Sequence, residues 1–297
     1  MSGKVAIVTG GGRGLGRSYC LALAATGHSV VVNDLGGDLH GEGGDPAPAA
    51  QVVAEICAEG GKAIANGADV SDWDAAQDLI ESAVREFGGL TVLVNNAGIL
   101  RDRLFANMTE EDWDAVIRVH LKGHAAPSRH AMAYWRAQSK AGATVHGSIV
   151  HTTSLAGLIG NFGQANYAAA KMAVVGLSHT LSREGEKYGI RSNAVSPSAR
   201  TRIEASLGLN QDNAFDTFDP GNVAPFMCWL AEEDCPASGQ VFHVYGDRIE
   251  VLAPVSINAN FRNNQQWTVE AIDKALRGRL PAKPQLTDFV PELGEGH

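Results

Sequence analysis

The chain has 297 residues, 44% of them hydrophobic and 19% charged, and a formal net charge of -9. That length holds one large domain or two small ones around a substantial core, and an acidic balance without any basic run argues against a nucleic-acid partner. No apolar stretch approaches the ~18 to 20 residues a membrane helix needs, and the scattered cysteines Cys20, Cys57, Cys228 and Cys235 form no CxxC pair, so neither a metal site nor a disulfide framework is expected.

Met1-Ser2-Gly3-Lys4 leads directly into a strand-like run over Val5–Thr9, so no secretory leader is expected. A glycine-rich turn and a helix from about Gly14 follow, then a strand over Ser29–Asn33. Gly36 to Pro48 is rich in Gly, Asp and Pro and reads as an enlarged surface loop. A helix from about Pro48, a strand over Lys62–Asn66 and a helix from about Ser71 come next, with Asp72 and Asp74 near that helix start. After a strand over Thr91–Asn95, Thr109 and Asp112 form an S/T-x-x-D capping pattern at the head of another helix. Strands over Gly147–Thr152, Ile190–Val195 and Gln240–Val244 alternate with helices from about Phe162 and Pro220.

Short, continuously apolar runs alternating with helical patterns predict βαβ units and a sheet covered on both faces. The expected fold is α/β, a Rossmann-type doubly wound parallel sheet of seven strands forming one catalytic domain over 1–246. Residues 247–297 are expected to be a C-terminal extension packed on the domain or on a neighbouring subunit. Within it, Thr268 to Arg277 reads as a helix capped by Thr268. The chain ends in Gly294-Glu295-Gly296-His297, which is no peroxisomal address, and the expected location is the cytoplasm.

Thr9-Gly10-Gly11-Gly12-Arg13-Gly14-Leu15-Gly16 joins the first strand to the first helix. Glycines there let backbone approach a pyrophosphate, whose charge meets the N–H groups and positive dipole of the helix start. Asp34 ends the second strand, where a carboxylate accepts hydrogen bonds from the adenosine ribose hydroxyls and repels a 2′-phosphate. This favours NAD over NADP, although Arg13 could pair with a 2′-phosphate or turn to solvent. Tyr167 and Lys171 are four apart on a predicted helix and share a face. A tyrosine titrates near ~10 in isolation, and a neighbouring ammonium lowers that value toward a useful base. Ser154 follows the strand over Gly147–Thr152 and can hydrogen-bond a substrate oxygen.

Taken together, Thr9 to Gly16, Asp69-Val70, Asn95-Asn96-Ala97-Gly98, Ser154, Tyr167-Ala168-Ala169-Ala170-Lys171 and Pro197 with Thr201 resemble the short-chain dehydrogenase/reductase family over about Lys4 to Gly246. The resemblance implies Ser154, Tyr167 and Lys171 as catalytic residues. It also implies that Gly10, Gly12, Arg13, Gly14, Leu15, Gly16, Asp34, Asp69, Val70, Asn96, Ala97, Gly98, Tyr167, Lys171, Pro197 and Thr201 hold the cofactor. His120 stands where the family places an asparagine that orders a relay water. The imidazole either relays a proton itself or is a hydrogen-bonded structural histidine. Ser198 replaces the glycine that commonly follows the proline, which stiffens the nicotinamide-side loop.

Longer strings, Val32 to Asp38, Asn95 to Arg103 and Gly160 to Tyr167, look like the branch found as the dehydrogenase domain of the peroxisomal multifunctional β-oxidation enzyme, a 17β-hydroxysteroid dehydrogenase-like domain. That resemblance implies an oxidoreductase of fatty-acid metabolism using NAD on a (3R)-3-hydroxyacyl-CoA thioester or a hydroxysteroid. An NADPH-dependent 3-oxoacyl reductase and a non-catalytic dinucleotide-binding protein are the alternatives. It further implies a homodimer or homotetramer. Arg202 to Pro220, with Ile203, Leu207, Leu209, Phe215 and Phe218, reads either as an apolar flap over the substrate or as a poorly ordered loop. Arg101 and Arg202 could meet an anionic CoA or simply be solvated.

Overall fold

The computed structural model of the protein describes residues 3–200, 215–253, 255–257, 259–264, 266–280 and 282–291. Its strands are β1 (Val5–Thr9), β2 (Ser29–Asn33), β3 (Ala63–Asn66), β4 (Val92–Asn95), β5 (Gly147–Thr152), β6 (Ile190–Pro197), β7 (Val241–Tyr245) and β8 (Arg248–Leu252). They form one sheet in the order β3-β2-β1-β4-β5-β6-β7-β8. β1, β4, β5 and β7 have every residue buried, as strands covered on both faces must. The order reverses between β1 and β4, and a crevice opens outside the carboxyl ends of strands at such a point.

The expected sheet of seven strands is corrected to eight. β8 pairs antiparallel with β7, Tyr245 opposite Arg248, across a tight turn at Gly246, whose φ of +52° suits glycine. This edge strand is largely exposed and lacks the continuous apolar run that marks its neighbours.

Helices α1 (Gly14–Ala25), α2 (Ala47–Ala58) and α8 (Ala224–Ala231) bury Leu23, Ile56 and Met227 against one face of the sheet. On the other face α3 (Trp73–Phe87) and α5 (Gly123–Lys140) place Leu79 and Trp135 against Ile7 and Leu93. Between β4 and α5 lies α4 (Glu110–Ile117), whose start is closed by the Thr109–Asp112 capping box. α4 does not continue smoothly into α5, because Arg118–Lys122 form a π-turn centred on His120. α6 (Leu155–Ile159) and α7 (Ala165–Gly185) follow β5.

The chain divides into two compact units, Met1–Leu252 and Ala253–His297. The second contains α9 (Val269–Leu276), where Thr268 Oγ accepts a hydrogen bond from the Ala271 N–H at 3.2 Å. Thr201, Arg202, Ile203, Leu207 and Leu209 lie outside the described residues. Among the described residues no helix is long and apolar enough to cross a membrane.

Candidate active site

The turn after β1 is shaped by contacts that only glycine permits. Gly10 has φ +63°, and a Cβ on Gly16 would stand 2.0 Å from the Gly10 carbonyl oxygen. The chain therefore doubles back tightly and enters α1 at Arg13, which makes no side-chain cap. The first-turn N–H groups of α1 then border the crevice, a suitable seat for a pyrophosphate. Asn96 holds the turn from β4. Its Nδ2 donates to the carbonyls of Thr9 and Gly10 at 3.1 and 3.2 Å, and the N–H groups of Asn96 and Ala97 donate to Thr9 Oγ1.

Asp34 lies at the far end of this crevice. Gly12 N–H donates to its Oδ2 at 2.8 Å and Gly36 N–H to its Oδ1 at 2.7 Å, so the carboxylate is fixed in place. Arg13 Nη1 donates to the Gly37 carbonyl at 3.2 Å. Asp69 and Val70 line the same crevice. Asp69 accepts from Ser71 N–H and Oγ at 2.8 and 2.6 Å, and from Arg118 at 3.3 Å.

The loop after β2, expected merely to lie on the surface, helps build the wall. Leu35, Asp38 and Leu39 border the crevice together with Ile99 and Val119, none of them expected from the sequence to hold the cofactor. The loop is tied to the strand β4 exit: Leu100 N–H donates to the Leu39 carbonyl at 3.0 Å, and His40 Nδ1 lies 3.0 Å from the Leu100 carbonyl. Arg101 donates to the His40 carbonyl and pairs with Glu42 and Glu111. The loop and the β4 exit sit some sixty residues apart in the chain, and no local pattern announces their meeting.

Ser154 caps α6, its Oγ accepting from Ala156 N–H at 3.2 Å. α6 packs closely on α7: a Cβ on Gly157 would lie 2.8 Å from both Lys171 Cβ and Met172 N. This contact joins the Ser154 segment to the helix carrying Tyr167 and Lys171. Lys171 is 2% exposed. Its Nζ donates to the Thr152 carbonyl at 2.6 Å and stands 5.6 Å from the Tyr167 ring centre. Burial pulls Lys171 from 10.5 down to about 7. Pro197 ends β6, while Thr201 is outside the described residues.

His120 is buried, with its ring edge-on to Tyr167 at 5.1 Å. Its Nε2 lies 3.0 Å from Ile99 N and 2.7 Å from Ile99 O, pinning the π-turn to the strand β4 exit. A Cβ on Gly98 would stand 2.5 Å from the ring, which leaves no room for another residue there. Burial first, and the Lys171 charge second, hold His120 well below 6.5. Both influences push the imidazole toward its neutral form. Sequence reasoning missed a buried polar group beside it. His151 Nδ1 lies 3.4 Å from His124 Nδ1 and 3.4 Å from Asn95 Nδ2, which donates to Ser128 Oγ at 2.9 Å. Burial and Lys171 pull both histidines down, His151 to about 3.

A glycine turn at a strand-order reversal, with a tyrosine above a buried lysine, defines a dinucleotide-dependent oxidoreductase. A family model for short chain dehydrogenases matches residues 4–211. The chain belongs to that family and is an oxidoreductase acting on CH–OH groups with a nicotinamide dinucleotide. It is 41% identical over 289 residues to the hydroxyacyl-CoA dehydrogenase ChsB1 of Mycobacterium tuberculosis, covering 93% of this chain and 88% of that one. To the mouse peroxisomal multifunctional enzyme type 2 it is 45% identical over 272 residues, 91% of this chain but 36% of that protein's length. The crystal structure of a short chain dehydrogenase from Mycobacterium avium superimposes with a TM-score of 0.81 at 46% identity, covering 91% of this chain and 92% of that one.

Proposed function

We propose that the chain is an NAD(H)-dependent dehydrogenase interconverting a secondary alcohol and its ketone, with a (3R)-3-hydroxyacyl-CoA thioester or a hydroxysteroid as the alcohol. The observation that carries the reaction is the buried Lys171 Nζ, 5.6 Å from the Tyr167 ring centre. A cation at that distance favours phenolate over phenol, and a phenolate nearby favours the ammonium in return. In the oxidative direction Tyr167 takes the alcohol proton on its phenolic oxygen. Ser154 Oγ hydrogen-bonds the same alcohol oxygen and limits its movement. In reduction the phenol returns the proton to the ketone oxygen. When bound, the nicotinamide takes up or supplies the hydride.

The crevice residues fit a dinucleotide. The glycine turn brings the first-turn N–H groups of α1 to the crevice, where they can meet a pyrophosphate, and the close approach of Gly16 to Gly10 holds it in that shape. Asp34, held by Gly12 and Gly36, offers acceptors to ribose hydroxyls and opposes a 2′-phosphate. Arg13, the side chain that would attract such a phosphate, is bonded to the Gly37 carbonyl. Both features support NAD over NADP and weigh against the 3-oxoacyl reductase alternative. The presence of Ser154, Tyr167 and Lys171 together weighs against binding without turnover.

The name of the Mycobacterium tuberculosis relative, a hydroxyacyl-CoA dehydrogenase, supports an acyl thioester as substrate. An apolar surface agrees with it. Arg103 bridges to Gln164, three residues before Tyr167, and beside that bridge Phe105 is 71% and Phe162 86% exposed. The test is an NADH-fluorescence screen of (3R)-3-hydroxyacyl-CoA thioesters of varied chain length beside steroid alcohols, each with NAD+ and NADP+. NADH formation from at least one class is expected. Inactivity on both classes refutes the substrate assignment, and a preference for NADP+ refutes the cofactor assignment.

A further inference from the structure

Residues 36–45, in the loop after β2, are folded within themselves. Asp38 Oδ1 accepts from the N–H groups of His40 and Glu42 at 2.8 and 2.9 Å, and Asp38 N–H donates to the Glu42 carbonyl at 2.9 Å. The two ends of the segment meet: Gly36 has φ +79°, and a Cβ on it would collide with the Asp45 carbonyl. A compact surface loop of this length with its ends together is an Ω-loop.

The tip of the loop rests on another strand. β2 and β4 stand on either side of β1 in the sheet. Neighbouring strands are about 4.8 Å apart, so the loop spans roughly 10 Å across the end of β1, where the glycine turn begins. At the exit of β4 the Leu39 carbonyl accepts from Leu100 N–H at 3.0 Å, and His40 Nδ1 donates to the Leu100 carbonyl at 3.0 Å. Gly41, φ +85°, lies so close to Ile99 that an added Cβ would stand 3.1 Å from two of its side-chain carbons. Gly37, Leu39 and Gly41 line the crevice opposite Asp69 and Val70.

Arg101 braces this docking. Its side chain is 17% exposed and uses all three of its nitrogens: Nε donates to the His40 carbonyl at 3.2 Å, Nη2 pairs with Glu42 at 3.4 Å and Nη1 with Glu111 of α4 at 3.3 Å. The Arg101 carbonyl accepts from Asn166 Nδ2 at 3.1 Å, which ties the backbone beneath it to α7. Both glutamates are exposed, and ion pairs of that kind are weak. A few hydrogen bonds and weak pairs make a contact that opens locally while the rest of the domain stays folded.

We propose that Arg101 is a positioning residue for the cofactor: it keeps residues 36–45 docked across the adenosine end of the crevice, and the dinucleotide enters and leaves only when this docking opens. The rate of cofactor exchange is then set by contacts between the loop and residues 99–101, none of which need touch the dinucleotide. The inference rests on the reading that a dinucleotide fills this crevice with its adenosine beside Asp34.

The test is stopped-flow NADH fluorescence with the wild-type chain, Arg101→Met, Gly41→Ala and Glu42→Ala, following association on mixing and release into excess ADP-ribose. Gly41 and Glu42 are exposed on the loop itself, so their variants loosen the docking without disturbing the core. Losing one hydrogen bond shifts an equilibrium by roughly three- to tenfold. Arg101→Met and Gly41→Ala are each expected to release NADH faster by about that factor, and to bind it faster as well, with Glu42→Ala showing a smaller change in the same direction. A loop that is only a fixed wall against the cofactor gives faster release with unchanged association. That result, or unchanged release in both Arg101→Met and Gly41→Ala, overturns the proposal while leaving the cofactor reading intact. Wild-type protein that binds neither NADH nor ADP-ribose overturns the cofactor reading and this inference with it.

Discussion

Replacing Asp34 by asparagine separates charge from shape at the adenosine end of the crevice. The side chain keeps its size, and its remaining oxygen still accepts from either Gly12 or Gly36, which now bond its two carboxylate oxygens at 2.8 and 2.7 Å. The N–H left facing an amide NH2 costs about 1–3 kcal/mol, but that cost falls on complexes with both cofactors and cancels from their ratio. What does not cancel is charge. Two unit charges about 4 Å apart repel by about 1 kcal/mol in water and about 4 kcal/mol at the effective dielectric near a protein surface. Asp34 is only partly buried, so its effect on a 2′-phosphate falls between these limits. Removing the charge is expected to raise the ratio of kcat/KM for NADP+ to that for NAD+ by roughly five-fold to several hundred-fold. The assay is initial rates with each cofactor on one alcohol. An unchanged ratio would refute the role given to Asp34.

Lys171 titrates at about 7 when buried, against 10.5 in solution, so from about pH 7 to 10.5 the unfolded chain binds more protons and stability rises with pH. Below about pH 7 the penalty is full. The ligand-free wild type should therefore gain up to about 1.36 kcal/mol per pH unit relative to Lys171→Met between pH 7 and 9. Urea denaturation at the two pH values measures this difference, and parallel behaviour of the two proteins contradicts it. His120→Ala is expected to lower stability by about 1–3 kcal/mol for the Ile99 backbone group left unpaired, while the folded variant retains at least about a tenth of wild-type kcat; a thousandfold loss of kcat would favour the relay reading. Gly16→Ala places a Cβ 2.0 Å from the Gly10 carbonyl oxygen and should abolish NADH binding by fluorescence titration. Gly176→Ala, on α7 with nothing within 4 Å of the added Cβ, should instead stabilise by about 0.5–1 kcal/mol; binding by the first variant or unfolding of the second goes against these contacts.

Features carried by neighbouring residues were legible in the sequence. Fully buried strands such as β1 and β4 read as continuous apolar runs, and the Thr109–Asp112 box appears where its spacing placed it. The glycine turn was equally plain, since glycine alone tolerates the contact between residues 10 and 16. Features made by distant residues were not legible. The loop of Leu35, Asp38 and Leu39 could be read as a loop, yet nothing local shows that it closes onto Ile99 and Leu100. β8 alternates polar and apolar residues on an exposed edge, a pattern too weak to separate from a tail. Four residues of spacing put Tyr167 and Lys171 on one face, but only the packing of Gly157 on α7 shows how deeply the lysine lies. His124 and His151 are isolated histidines in sequence, and folding alone brings them together.

In the proposed reaction Tyr167 moves the substrate proton beside the buried Lys171. The most direct measurement is turnover by Tyr167→Phe with NAD+ and a substrate found for the wild type, alongside its affinity for NADH. A phenyl ring keeps the edge contact with His120 and removes only the phenolic oxygen. kcat is expected to fall by roughly 10²–10⁴-fold, the contribution typical of a general acid–base, while NADH affinity changes by less than about threefold. Full turnover by Tyr167→Phe would contradict the proposed reaction.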